Sequence, residues 1–211
     1  MKVKICGLTR PEEAEYINDH GADLAGFVLY YPKSKRSISI DKATEIRSRL
    51  SAHVKSVAVT VSPTIDQAAA ICKEGFDYVQ IHGDIPEGYA ALPDKLPIIK
   101  AFNVHDLGSY EELLDNKDIV GFVFDAAAPG SGKTFDWDAV TGLKRKPGLL
   151  YILSGGLTPD NVSEAISYVH PDIVDVSSGV EYDADPSDQS ANGFRGKDPE
   201  KIRAFISAAK Q

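Results

Sequence analysis

Short apolar runs alternate with polar or amphipathic segments along the whole chain, and each pair predicts a strand followed by a helix. The first run ends at Cys6, and the helical segment after it begins near Pro11 and stops before Gly21, as helices commonly do. The predicted strands cover residues 1–6, 23–29, 54–61, 77–81, 97–102, 118–125, 149–153 and 172–177. The predicted helices cover residues 10–20, 41–50, 87–92, 107–115, 137–143, 160–169 and 199–209, with another capped by Ser62-Pro63 and ending before Gly75.

Eight such units favour an α/β architecture, a single-domain (β/α)8 TIM barrel over residues 1–211. Strands that are apolar along their whole length indicate a parallel sheet covered by helices. An open doubly wound sheet is the alternative, but such a sheet usually carries a glycine fingerprint after its first strand. The segment after the first predicted strand, residues 6–10, lacks that fingerprint.

The composition narrows the functional classes. The 211 residues carry a formal net charge of −8, which argues against a nucleic-acid-binding surface. No apolar run approaches the roughly 18 residues of a membrane span, and the chain begins without a charged and apolar leader. With only two cysteines, no disulfide framework is indicated. We therefore expect a cytoplasmic protein without membrane or nucleic-acid partners, in which local groups must bind any anionic ligand against the overall charge.

Two residues at predicted strand ends could carry chemistry. In a (β/α)8 barrel the carboxyl ends of the strands surround the active site. Cys6 ends the first strand there and could be a catalytic thiol, although a small buried apolar role is the commoner one for a free cysteine. Asp125 ends the sixth strand and would face the same pocket, unless it only caps a loop or helix.

Two glycine-rich turns follow the last two predicted strands, at residues 154–159 and 177–180. Loops at these places form the usual phosphate site of the barrel, because bare backbone N–H groups attract an anion. Arg36, after the second strand, could bind a carboxylate, or it could belong to a solvated basic loop. His82, at the end of the fourth strand, faces the same end of the barrel, although a structural role is commoner for a lone histidine.

A nucleotide-binding module is an alternative function. Residues 127–134 nearly match the Walker A pattern, with Gly132-Lys133-Thr134 in place but Ala127 where the first glycine should stand. A phosphate-binding loop of that kind should open a long helix, and only a short one is predicted after Thr134.

Taken together, the motifs resemble the phosphoribosylanthranilate isomerase family of tryptophan biosynthesis over nearly the whole chain. They are Lys4-Ile5-Cys6-Gly7, Tyr31-Pro32-Lys33-Ser34 with Arg36, Gln80-Ile81-His82-Gly83, Gly130-Ser131-Gly132-Lys133-Thr134-Phe135-Asp136-Trp137, Gly155-Gly156-Leu157-Thr158-Pro159 with Asn161-Val162, and Asp175-Val176-Ser177-Ser178-Gly179-Val180-Glu181. The resemblance implies a barrel of the ribulose-phosphate-binding type. It also implies an enzyme without metal or cofactor, which converts N-(5-phosphoribosyl)anthranilate to a 1-deoxyribulose phosphate by an Amadori rearrangement.

The same resemblance implies roles for individual residues. The general base falls on Cys6, the general acid on Asp125, and the contact with the anthranilate carboxylate on Arg36. The remaining residues expected to bind the substrate are Gly155, Gly156, Ser178 and Gly179 around its phosphate, with Asp175 and His82. A non-catalytic sugar-phosphate-binding barrel is the second alternative, and its mark would be the loss of Cys6 or Asp125. The chain could be a monomer or a homodimer.

The chain departs from the family pattern in two places. Thr60 and Ser62 stand where the family usually has Phe and Asn, so the wall facing the anthranilate ring could differ. Residues 182–196 form a longer polar insertion, which we expect to be a mobile flap over the phosphate end of the pocket.

Lys4 shares the inward side of its strand with Cys6, and we expect it to pair with Asp175 once the barrel closes.

Overall fold

The computed structural model of the protein describes residues 1–125, 137–183 and 194–211. Its eight barrel strands are β1 Lys2–Cys6, β2 Leu24–Leu29, β3 Lys55–Val61, β4 Tyr78–His82, β5 Ile98–Asn103, β6 Ile119–Asp125, β7 Leu150–Leu153 and β8 Ile173–Val176. Each pairs in parallel with its neighbours, and β1 pairs with both β2 and β8. The sheet is therefore closed, and the predicted (β/α)8 barrel is confirmed.

Helices follow the strands around the outside of the barrel. They are α1 Glu12–His20, α2 Ile40–Arg47, α3 Ile65–Lys73, α4 Tyr110–Leu113, α5 Asp138–Thr141, α6 Val162–Val169 and α7 Pro199–Ala209, with two 3₁₀ turns at Tyr89–Ala91 and Ser178–Val180. The last helix packs against α1 and α6, so that the end of the chain completes the outer ring.

The structure corrects several details of the sequence-based assignment. Helix α3 is capped by Thr64 and not by Ser62-Pro63, since Thr64 and Gln67 exchange hydrogen bonds in a capping box. The segment 87–92 contains a 3₁₀ turn, and α4 is four residues long. The predicted polar loop after β2 contains a two-residue strand, Ser37–Ile38, which pairs with the end of β2.

Apolar side chains fill both faces of the strands. An outer cluster lies between the sheet and the helices, and a smaller inner cluster fills the barrel. The inner cluster contains Cys6, Leu24, Val57, Val59, Ile99, Ala101, Val123, Ile152 and Ile173. Because side chains alternate along a strand, Thr60 lies on the helix side of β3, beside the inward-facing Val59. Thr60 therefore does not form the inner wall of the barrel, contrary to the expectation from the sequence.

Two predicted features lie outside the described residues. These are the whole near-Walker A stretch, residues 127–134, which includes the glycine-rich residues that follow β6, and the central part of the insertion after β8. Within the described ranges, no helix combines the length and the apolar character that crossing a membrane requires.

Candidate active site

Cys6 lies at the end of β1, where the chain turns out of the barrel. Gly26, its partner on β2, leaves room for the thiol, because a β-carbon there would lie 2.9 Å from Cys6 Sγ. Gly7 then adopts a φ of 81° in the left-handed region that glycine tolerates. The N–H groups of Gly7 and Leu8 both donate to the Gly26 carbonyl, at 2.9 and 3.1 Å. The turn fixes the position of Cys6 at the rim and on the inner side of the barrel.

Lys4 and Asp175 form the predicted ion pair beneath the thiol. Lys4 Nζ lies 2.8 Å from Asp175 Oδ2, and the two residues face each other across the β1–β8 pair that closes the barrel. Both side chains are almost completely buried. Burial by itself would lower the pKa of Lys4, but the Asp175 carboxylate and Cys6 together outweigh it and the pKa is raised. The pairing prediction is confirmed.

Burial and charge act in opposite directions on the Cys6 thiol. Burial raises its pKa, because a thiolate is poorly solvated inside the barrel, and the ammonium groups of Lys4 and Lys197 only partly oppose that effect. The net effect is that the pKa of Cys6 is raised. A proton-accepting thiolate at this position therefore becomes more populated as the pH rises.

We expect Lys4→Met to destabilise the fold strongly. The substitution would leave the Asp175 carboxylate buried without its charged partner, a change that typically costs about 3 kcal/mol or more. Urea denaturation followed by circular dichroism would measure the loss. The matched double variant Lys4→Met/Asp175→Leu removes both charges and should recover much of the stability; a double variant as unstable as the single one would contradict the explanation.

Asp125 ends β6 and is half-buried. Val123, two residues earlier, belongs to the inner cluster, so alternation directs Asp125 toward the interior at the rim. The register pairs Asp125 with Asn103 at the end of β5. The structure thus places Cys6 and Asp125 at the same end of the barrel, on strands β1 and β6, with both side chains on its inner side.

The two glycine-rich turns meet beside this rim. Gly155 and Gly156 have φ values of 91° and 65°, which favour glycine. The second turn forms the 3₁₀ helix Ser178–Val180, and a β-carbon on Gly179 would overlap the Leu157 carbonyl oxygen. The turns after β7 and β8 are therefore packed directly against each other. The first N–H groups of such a helical turn have no partner within it and can receive an anion.

A side chain that sequence reasoning assigned no role holds the first of these turns. Asn161 Oδ1 accepts from the Thr158 N–H at 2.8 Å, and its Nδ2 donates to the Gly156 carbonyl at 3.0 Å. Its position three residues after Thr158 was the available signal, since asparagine commonly forms such local bonds to backbone.

Arg36 reaches the rim from the loop after β2. Its stem lies over Gly7, where a β-carbon would come within 2.5 Å of Arg36 Cδ. Its guanidinium Nε donates to Glu181 Oε1. Glu181 also accepts from Lys197 Nζ at 3.2 Å. Sequence reasoning did not connect Glu181 or Lys197 with Arg36, because nothing in their local pattern indicates a contact with a residue near position 36.

His82 faces the interior from the end of β4. Its Nε2 lies 2.9 Å from Gln80 Nε2, on the same side of the strand. Burial, and then the charges of Lys4 and Lys100, lower the pKa of His82 to about 4. The imidazole is therefore neutral near pH 7 and can act as a hydrogen-bonding group there, but not as a cation.

Groups that can transfer protons and turns that can hold an anion thus surround one end of the barrel. Since all eight strands are parallel, their carboxyl ends share this rim. In the described part of the chain, no three His, Cys, Asp or Glu side chains cluster as metal ligands would. Groups of this kind beside glycine-rich turns, at the carboxyl ends of the strands, are typical of (β/α)8-barrel enzymes that act on phosphorylated small molecules.

Comparison with known proteins identifies the family. The model of the N-(5'-phosphoribosyl)anthranilate (PRA) isomerase family matches residues 3–208. The N-(5'-phosphoribosyl)anthranilate isomerase of Geotalea daltonii is 40% identical over 217 aligned positions, which cover 100% of this chain and 97% of the relative. The chain belongs to the PRA isomerase family. The resemblance inferred from the sequence and the predicted isomerase class in tryptophan biosynthesis are confirmed, and the nucleotide-binding alternative is not favoured.

Solved structures agree with this assignment. Phosphoribosyl anthranilate isomerase from Thermotoga maritima is 37% identical and superposes with a TM-score of 0.81, covering 100% of this chain and 98% of the other. A phosphoribosyl anthranilate isomerase in complex with reduced 1-(O-carboxyphenylamino)-1-deoxyribulose 5-phosphate is 34% identical, with a TM-score of 0.75 and the same coverage. Monomers generated from the dimeric Thermotoga maritima enzyme are 34% identical and have a TM-score of 0.77 over the same shares.

Proposed function

We propose that this chain isomerises N-(5'-phosphoribosyl)anthranilate with Cys6 as the general base and Asp125 as the general acid. The observation that carries the proposal is the placement of these two side chains at the ends of β1 and β6, on the inner side of one rim. A thiol and a carboxyl group facing one pocket can exchange protons with two different atoms of the same substrate.

The chemistry divides into two proton transfers. Asp125 gives a proton to the furanose ring oxygen as the bond between that oxygen and C1′ breaks, and the anthranilate nitrogen supplies the electrons that form an iminium. Cys6 then removes the C2′ proton, and the electrons of that C–H bond neutralise the iminium to give an enolamine. The enolamine tautomerises to the ketone. Each positioned acid or base of this kind typically contributes about 10²- to 10⁴-fold to the rate.

The binding roles follow from the loops around this pair. The turns at Gly155-Gly156 and Ser178-Gly179 are proposed to hold the phosphate on their N–H groups. Arg36 is proposed to bind the aromatic carboxylate. These contacts draw a multiply charged anion to a protein whose net charge is −8, so that attraction depends on local groups.

Two further side chains on the inner side are proposed to touch the substrate. Asp175 lies in β8 beneath the thiol, where Lys4 holds one of its carboxylate oxygens. His82 presents a neutral imidazole from β4, which suits a hydrogen bond to a sugar hydroxyl better than a charged contact.

A fluorescence assay tests the proposed activity. The anthranilate group of the substrate fluoresces, so its consumption can be followed continuously with the purified chain. The expected result is a rapid loss of substrate signal that the double variant Cys6→Ala/Asp125→Asn does not produce. Equal traces for the two proteins would overturn the proposal.

Arg36→Ala should act mainly on substrate binding. A clamp on a carboxylate that does not react holds the ground state and the transition state alike, so KM should rise about tenfold or more while kcat changes little. Steady-state kinetics with varied substrate would separate the two constants. Lys42→Ala, an exposed cation on α2 paired only with Glu45 among the described ion pairs, is the matched control and should leave both constants unchanged. An unchanged KM in Arg36→Ala would remove that residue from the site.

Cellular location and assembly are also part of the proposal. We propose that the protein acts in the cytoplasm, which suits two free cysteines and an enzyme family of amino-acid biosynthesis. It would do so as a monomer or a homodimer. The Thermotoga maritima relative, which is described as dimeric, supports the second possibility.

A further inference from the structure

Glu181 lies at the centre of a buried charge cluster that the catalytic chemistry does not use. It follows the 3₁₀ turn Ser178–Val180, and its side chain is 7% exposed. Oxygen Oε1 accepts from Arg36 Nε and from Lys197 Nζ, the latter at 3.2 Å. Oxygen Oε2 lies 3.2 Å from Lys35 Nζ. Three cations therefore surround one carboxylate at the rim of the barrel, where the loop after β2 places Arg36.

Buried groups also hold this carboxylate, through the same oxygen that Arg36 contacts. Lys197 is fully buried, and its amine also donates to the carbonyl and hydroxyl oxygens of Ser177, at 3.0 and 3.2 Å. An antiparallel bridge joins the backbones of Glu181 and Lys197. Burial would raise the pKa of Glu181, but the Arg36 hydrogen bond and the neighbouring cations outweigh it and lower the pKa. Glu181 is thus a fixed, ionised anchor.

Arg36 is the more exposed partner of this pair. Its side chain is 20% exposed and reaches the rim from a loop, with its stem packed over Gly7. The ring of Phe194 lies 6.0 Å from its guanidinium carbon. Glu181 bonds the Nε position, which leaves the two Nη groups outside that bond. These terminal groups form the fork that binds a carboxylate through two parallel hydrogen bonds.

We propose that Glu181 is a positioning residue, which holds the Arg36 guanidinium so that its Nη fork faces the aromatic carboxylate of the substrate. The inference rests on the proposed role of Arg36 and deepens it. It adds that Lys197 supplies the buried counter-charge that keeps the Glu181 carboxylate ionised within reach of Arg36.

The direction in which KM changes distinguishes a positioning role of Glu181 from a purely electrostatic effect of its charge. A carboxylate near the binding site of an anion repels that anion, so charge alone predicts that neutralising Glu181 lowers KM. Positioning predicts the opposite, since a guanidinium without its anchor loses entropy when it binds. Glu181→Gln keeps the volume of the side chain while removing its charge, and it is therefore the first variant to measure.

We expect Glu181→Gln to raise KM about three- to tenfold with kcat within about twofold of the parent, as for lost ground-state binding. Glu181→Asp keeps a negative charge near Lys197 but draws the carboxylate back by one methylene, away from Arg36 and Lys197 alike. It should fold even if Glu181→Gln does not, and it should also raise KM. Lys35→Ala is the matched control, because it removes a 47% exposed cation from the same carboxylate without touching the Nε bond. Its KM should change less than that of Glu181→Asp.

A double-mutant cycle with Arg36→Ala completes the test. If Glu181 acts through Arg36, Glu181→Asp should raise KM in the parent and have almost no effect on KM once Arg36 is alanine. A full effect in the Arg36→Ala background would overturn the inference, and so would an unchanged or lowered KM in both Glu181 variants. Arg36→Ala with a parental KM would instead show that the proposed carboxylate clamp itself is wrong.

Discussion

Cys6→Ala should lower kcat by about 10²- to 10⁴-fold while the fold persists, because a positioned base contributes on that scale. The thiol lies at the rim, where alanine leaves β1 and its pairing with β2 intact. Burial raises the pKa of the thiol, so the turnover of the parent should increase with pH as the thiolate forms. The residual turnover of the variant should lack that rise. Stopped-flow fluorescence over a range of pH would measure both effects.

Cys72→Ala is the matched control for this experiment. Cys72 is also buried and free, but it lies in α3, with its sulfur 4.0 Å from Tyr89 Oη, outside the inner cluster. Removing the same chemical group there should leave kcat and its pH dependence unchanged. The role of Cys6 would have to be abandoned if its alanine variant retained the parental kcat, or if both variants lost activity equally.

Asp125→Asn should reduce kcat by a similar factor, about 10²- to 10⁴-fold, because an amide has no acidic proton to give to the ring oxygen. The two side chains have nearly the same volume, so the β6 strand should remain folded. Steady-state rates with saturating substrate would measure the loss.

Asp115→Asn provides the comparison at an exposed site. Asp115 follows α4, and its side chain is 92% exposed and paired with Lys146. The same replacement there should not change kcat. Parental turnover in Asp125→Asn, with circular dichroism confirming the fold, would assign the proton donor to another group.

The barrel and its closure could be predicted because their signals are local or topological. Continuous apolar strands separated by helices indicate a parallel sheet, and eight of them indicate closure. Closure then places β1 beside β8, and alternation puts Lys4 on the inner side, so the partner Asp175 follows although it lies 171 residues away. Each of these steps uses a regular feature of the backbone.

The Arg36–Glu181–Lys197 cluster could not be predicted in the same way. These residues lie in loops, where no period fixes the direction of a side chain. Glu181 belongs to one of the sequence motifs, but its residue type alone does not show whether the carboxylate is solvated or buried in an ion pair. For Thr60, in contrast, the sequence suggested a role that the structure does not support. A difference from the family pattern suggested a change in the pocket wall, whereas the alternation of β3 places that side chain toward the helices.

The position of Lys197 has a consequence for synthesis of the protein. This buried lysine comes after all eight strands in the chain, yet its amine supplies the positive charge beside Ser177 and Glu181 at the end of β8. A nascent chain can therefore contain every strand of the barrel and still lack the Lys197 amine that contacts Ser177 and Glu181 at the rim. We expect ribosome-bound chains that stop before residue 197 to bind the substrate poorly, and binding to appear abruptly when the last helix emerges.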